Sequence, residues 1–105
     1  MRVLLDALDR RLKKSFDEEL EVLTIVERVW GGKKNAELLC LAEQEFDVFI
    51  TMDRTLEYQQ NLSDFSIGIL LIAAKSNRRK DVEPLMQEVG RALDRAKVGE
   101  LIVAA

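Results

Sequence analysis

A chain of 105 residues has the length of one domain and buries roughly 65% of its unfolded surface, enough for a single core. A hydrophobic fraction of 48% and a charged fraction of 33% exclude a disordered chain. A net charge of −3 excludes a globally basic nucleic-acid binder, so any such contact must come from a local patch.

The absence of His removes the commonest general base and the usual zinc ligand. The single cysteine, Cys40, excludes an internal disulfide. Its place within Leu38-Leu39-Cys40-Leu41-Ala42 predicts a packed core thiol. Asp6 interrupts the apolar start before a signal-peptide core can form, and no apolar stretch approaches the ~20 residues of a membrane span. A cytoplasmic protein with no membrane partner is expected.

In chain order, Arg2 to Leu5 reads as a short buried strand closed by Asp6. Positions 7–16 read as a helix, with Leu8, Leu12 and Phe16 four apart among Arg10, Arg11, Lys13 and Lys14. Asp17, Glu18 and Glu19 form an acidic turn. Leu20 to Val26 is rich in β-branched residues and predicts a second strand. A loop follows to Lys34, carrying the Gly31-Gly32 pair and Trp30, which is expected to cover the core edge. Asn35 reads as an N-cap, and Ala36 to Glu45 as a helix.

Val48 to Met52 predicts the third strand, with Asp53 just past its end. The segment 54–64 reads as a loop with room for a helical turn. Ile67 to Ala74 is apolar throughout, as in a strand buried on both faces. After a basic loop, Asp81 is expected to cap a long helix reaching Lys97, with Pro84 in its first turn and Gly99 past its end. Leu101-Ile102-Val103 predicts a last strand. The alternation of strand and helix argues for an α/β fold with a parallel sheet covered on both faces.

In such a sheet, ligands bind beyond the carboxyl ends of the strands, where strand order reverses. Asp6 follows the first strand, Asp53 the third, and Glu37 lies in the first turn of the helix that starts at the same edge. These three acids are expected to converge. Close carboxylates repel unless a cation or proton compensates, and Mg²⁺ or Mn²⁺ is the natural ion for an all-oxygen site. The alternative is three capping or loop carboxylates with no shared ligand.

Basic residues gather in the loops of that edge: Lys33 and Lys34, Arg54, then Lys75, Arg78, Arg79 and Lys80. A metal-centred acidic pocket ringed by cations suits a nucleic-acid backbone; ordinary solvated loops are the plainer reading. Ser76 and Asn77 are placed to bond a phosphate or a water, or to form a turn or helix cap. Tyr58, Gln59, Gln60 and Asn61 offer a stacking face and amides, or plain loop polarity.

At Val3-Leu4-Leu5-Asp6, Trp30-Gly31-Gly32-Lys33-Lys34-Asn35-Ala36-Glu37-Leu38-Leu39, Phe46 to Asp53, Tyr58-Gln59-Gln60-Asn61-Leu62 and Ser76-Asn77-Arg78, the chain resembles short prokaryotic PIN-like domain proteins, the branch allied to VapC-type toxins. The resemblance covers most of the chain. It implies a three-layer α/β/α sandwich with a mainly parallel sheet of about five strands. It also implies metal-dependent ribonuclease activity, often as the toxin of a toxin–antitoxin pair. Carried over by position, the catalytic and metal-binding acids are Asp6, Glu37 and Asp53. Asp9, one turn into the first helix, is a further metal-ligand candidate as a partial substitute for the acid this chain lacks after Asp6. The expected substrate-binding set is Lys33, Lys34, Asn35, Arg54, Ser76, Asn77 and Arg78. The expected partners are RNA, a small DNA-binding antitoxin protein and a second copy of the chain.

Relatives usually continue past the first Asp with Glu, a polar or Cys residue, Leu and Pro, whereas this chain has Ala7-Leu8-Asp9-Arg10. That departure is the ground for a second reading, a PIN-like domain without activity that binds protein or RNA. A third, a phosphoacceptor receiver domain, wants a Lys beyond the fifth strand, where only Ala104 and Ala105 follow.

Overall fold

The computed structural model describes residues 1–6 and 8–105. The departure at Ala7, and the first position of the helix expected over 7–16, lie outside the described residues.

Five strands form one all-parallel sheet in the order β2-β1-β3-β4-β5. They are β1 (Arg2–Leu5), β2 (Glu21–Thr24), β3 (Val48–Thr51), β4 (Gly68–Ile72) and β5 (Leu101–Ala104). Alternation along the strands divides the core into two layers, because successive side chains leave opposite faces. Val3, Leu5, Val48, Ile50, Leu70 and Ile72 pack on one side, with Leu12, Val82, Met86, Val89 and Leu93. Leu4, Phe49 and Ile69 pack on the other, with Leu38, Leu39, Ala42, Leu56 and Leu62. The register aligns Leu4 with Phe49 and Phe49 with Ile69, so one apolar row crosses three strands.

The covering layers differ from expectation in their details. The first connection is a 3₁₀ segment, Arg10–Ser15, in place of an α-helix. Its turns close three residues back, Leu12 N–H to the Asp9 carbonyl and Phe16 N–H to that of Lys13. With four cations in six positions, only Leu12 has an apolar side chain to bury there, which favours a short, tight segment over a longer helix. Helix α1 (Asn35–Glu45) begins one residue earlier than predicted, so Lys34 is the cap position and Asn35 is helical. Helix α2 (Leu56–Gln59) and a 3₁₀ turn at Leu62–Asp64 fill the third connection.

The long helix predicted after Asp81 is in fact three pieces: α3 (Arg79–Val82), a 3₁₀ turn at Glu83–Leu85, and α4 (Met86–Arg95). Pro84 has no N–H to give the α pattern, which explains the tight turn at that point. Asp81 lies inside α3 and is not its cap, which is Arg78. The last helix stops at Arg95, with extended Ala96 as its cap. Gly99 serves the next turn, where a φ of 78° admits glycine at little strain.

Cys40 is exposed, contrary to the expectation of a core thiol. The buried stripe of α1 is Leu38, Leu39 and Ala42, and a residue two places from Leu38 faces the other way. Trp30 covers the core edge as expected, packed edge-on to Phe46 with ring centroids 6.1 Å apart. Among the described residues no helix is long and apolar enough to cross a membrane.

Val29, in the loop between β2 and α1, holds a φ of 58° and is 85% exposed. A β-branched residue in the left-handed region carries strain of about 1–2 kcal/mol. Val29→Gly removes it at a smaller entropic cost, so the variant is expected to be about 0.5–1 kcal/mol more stable in urea denaturation. A lower midpoint than the parent chain would contradict this.

A carboxylate pair at the strand-order reversal

The chain leaves β1 toward β2 on one side and returns to place β3 on the other, so strand order reverses between β1 and β3. Asp6 and Asp53 stand at the carboxyl ends of these two strands. Asp6 N–H donates to the Ile50 carbonyl at 2.9 Å, which extends the β1–β3 ladder to the carboxylate itself.

Thr51, the last residue of β3 and 1% exposed, links the two acids. Its hydroxyl donates to Asp6 Oδ2 at 3.0 Å and accepts from the Asp53 backbone N–H at 3.1 Å. Asp53 is held from two further directions. Oδ1 accepts from the Thr55 N–H at 2.9 Å and the Thr55 hydroxyl at 2.7 Å. Oδ2 accepts a long bond of 3.4 Å from Asn35 Nδ2, which also donates to Gln59 Oε1 at 3.1 Å.

These surroundings push the two carboxyls apart. Burial raises the Asp6 pKa, the Thr51 hydrogen bond opposes that, and the negative charge of Asp53 adds to the rise. Asp53 is lowered, chiefly by its hydrogen bonds from Thr55. Neighbouring carboxyls displaced in opposite directions occur at functional sites and also in structural hydrogen-bond networks.

A folded-state pKa above the ordinary 3.8 means that ionising Asp6 opposes folding. Its contribution is fully present below the unfolded value and is lost as pH rises through the folded value. Asp6→Asn is therefore expected to melt above the parent chain at pH 7 in EDTA, with the gap closing toward pH 3.8. An equal or lower melting temperature at pH 7 would contradict the burial argument.

The other expected acids stand apart. Glu37 is exposed and pairs with Lys33 at 3.1 Å. Asn35 reaches Asp53 from the same helical turn, and positions two apart do not share a helix face. Asp9 caps the 3₁₀ segment and takes three contacts from the Arg11 side chain, lowering its pKa to about 2. Among the described residues no three His, Cys, Asp or Glu side chains are grouped to hold an ion. The remaining pair still suits Mg²⁺ or Mn²⁺, which take one or two carboxylates and complete their shells with water and substrate phosphate.

The basic ring is thinner than its residue count. Lys33 is paired with Glu37 and Arg79 with Glu83. Arg54 donates to the Ala74 carbonyl at 3.5 Å. Among the described residues Lys34, Lys75, Arg78 and Lys80 are exposed and in no ion pair, and the last three line one open cavity of about 310 Å³ with Ser76 and Asp81. The Ser76 hydroxyl donates to Asp81 and accepts the Arg78 N–H at 3.1 Å, so Ser76 shapes the turn into α3. Asn77 is exposed in that turn.

Thr51 and Thr55 were not among the expected site residues. The available signal was a hydroxyl at the end of an apolar strand, followed by Asp53-Arg54-Thr55, the spacing at which an Asp side chain bonds the backbone two residues on. No protein-family model, curated protein or solved structure matches the chain, and what the pair does is read from its own geometry.

Proposed function

We propose that the chain is a PIN-like, Mg²⁺- or Mn²⁺-dependent ribonuclease centred on Asp6 and Asp53. The observation that carries this reading is the Asp6–Thr51–Asp53 array at the strand-order reversal, with its two carboxyls displaced in opposite directions. When bound there, the ion would supply Lewis-acid polarisation of a phosphodiester and a more acidic water.

The chain's own part is positional. Thr51 fixes the carboxylate of Asp6 against the backbone of Asp53, and Thr55 and Asn35 fix the carboxylate of Asp53. Asp6 Oδ2 and both oxygens of Asp53 receive protein hydrogen bonds, while Asp6 Oδ1 receives none from the described residues. Lys34, Lys75, Arg78 and Lys80 offer charge for the flanking phosphates. A toxin role beside a small DNA-binding antitoxin, a second copy as partner, and a cytoplasmic location belong to the same reading.

The experiment is cleavage of a panel of structured and unstructured RNAs with Mn²⁺, against an EDTA control. Metal-dependent fragments are expected, and intact RNA across the panel would end the ribonuclease reading. The engagement of Glu37 by Lys33 and of Asp9 by Arg11 favours a second reading, an inactive PIN-like binding module. Calorimetry separates the two: stoichiometric Mn²⁺ binding that disappears in Asp6→Asn counts against the binding module.

A further inference from the structure

Tyr58 is the one aromatic among the exposed large apolar side chains, at 83% exposure. Its side chain has no hydrogen bond or ring contact among the described residues, although its backbone belongs to the ordered helix α2. That helix is tied to Asp53 directly at its start and through Asn35 at its end. At its start, Thr55 bonds Asp53 through both backbone N–H and hydroxyl. At its end, Gln59 accepts from Asn35, whose same amide nitrogen reaches Asp53. Leu56, 1% exposed, anchors the inner face in the core.

Thr55, Tyr58 and Gln59 are spaced i, i+3 and i+4, and both Tyr58 N–H and Gln59 N–H donate to the Thr55 carbonyl. The ring is therefore carried on the single helical turn that Asp53 precedes and Thr55 caps. A solvated ring on a short helix anchored next to Asp53, with unpaired cations on the same sheet edge, matches the stacking-and-charge design of single-strand binding surfaces. A duplex keeps its base faces stacked inside, where such a ring cannot reach them.

We propose that Tyr58 is a stacking platform for an unpaired base and that the chain takes single-stranded RNA beside Asp53. The choice of RNA rests on the ribonuclease reading. Tyr58 holds the base face, Gln59 stands next to it, and the free cations hold the phosphates to either side.

The test is binding of a fluorescent unpaired RNA 12-mer in EDTA, followed by anisotropy. Tyr58→Ala is expected to weaken binding about 10- to 100-fold, the range for loss of one stacked base. Tyr58→Phe is expected to stay within about 2-fold, since the ring and not the hydroxyl does the stacking. Annealing the complementary strand should weaken the parent chain, and an abasic site at one position should erase its advantage over Tyr58→Ala. Equal affinity of Tyr58→Ala and the parent chain would overturn the proposal, as would equal affinity for single strand and duplex, or no RNA binding at all. Tyr58-dependent binding without cleavage in Mn²⁺ would overturn the ribonuclease reading and leave the platform standing. Cleavage with a KM unchanged by Tyr58→Ala would do the reverse.

Discussion

Asp53→Asn is expected to lower Mn²⁺-dependent RNA cleavage by about 100-fold or more while leaving the fold intact. The asparagine keeps an oxygen that can accept from Thr55, so the turn after β3 is retained. What it loses is the negative charge of the carboxyl that ionises more readily of the two. Charge stabilisation by a bound divalent ion is worth several kcal/mol in the transition state, and each 1.36 kcal/mol is tenfold in rate. The measurement is initial cleavage rate at saturating Mn²⁺, with circular dichroism melting as the control for folding. A lowered folded pKa places Asp53's stabilising contribution above the ordinary value of 3.8, lost as pH falls through the folded value. The variant is therefore expected to melt slightly below the parent at pH 7, opposite in sign to Asp6→Asn. A variant as active as the parent would remove Asp53 from the chemistry.

Phe49→Ala is expected to cost about 3–5 kcal/mol of stability, the range for truncating a fully buried aromatic. Phe49 is 1% exposed and fills the middle of the row from Leu4 to Ile69, under the α1 layer. The surrounding strands are fixed by ladders on both sides and cannot close over the cavity. A domain of this size has about 5–15 kcal/mol in total, so the truncation consumes a large share of it. Urea denaturation with a fixed slope measures the loss. A change below about 1 kcal/mol would mean that the site relaxes, contrary to the rigid packing inferred for β3.

The strands were legible because each is a short apolar run between polar breaks, and the two core layers follow from alternation alone. The predicted parallel α/β sheet with about five strands is present, and it is wholly parallel. The bounds are shorter than predicted: β2 is Glu21–Thr24 where Leu20 to Val26 was expected, and β4 is Gly68–Ile72 where Ile67 to Ala74 was expected. Apolar side chains continue past the last ladder bonds, so hydrophobicity marks the buried run and not the paired one.

The position of Asp6 and Asp53 at one edge also followed from topology. The failure at Glu37 has a specific cause. Topology places a helix terminus at an edge but does not say which of its residues turns inward. The stripe Asn35, Leu38, Leu39, Ala42 fixes that phase, and the same stripe turns both Glu37 and Cys40 outward. At Asp9 a local interaction prevailed, since a cap and a bidentate Arg11 two residues away need no tertiary partner. Asp81 differs in kind: its side chain found Ser76 across the turn, and Arg78 became the cap position.

The strand order also governs how the molecule can be assembled as it leaves the ribosome. β2 joins one side of β1, β3 the other, then β4 joins β3 and β5 joins β4, so every new strand meets an open edge and none has to wedge between two already paired. Parallel pairings span long loops and form slowly, and an order without insertion spares the chain a partial unzipping at each step. Asp6, Asn35, Thr51, Asp53, Thr55 and Gln59 have all been synthesised once residue 59 is added. The residues around the carboxylate pair thus precede β4 and β5, which arrive afterwards as its buttress.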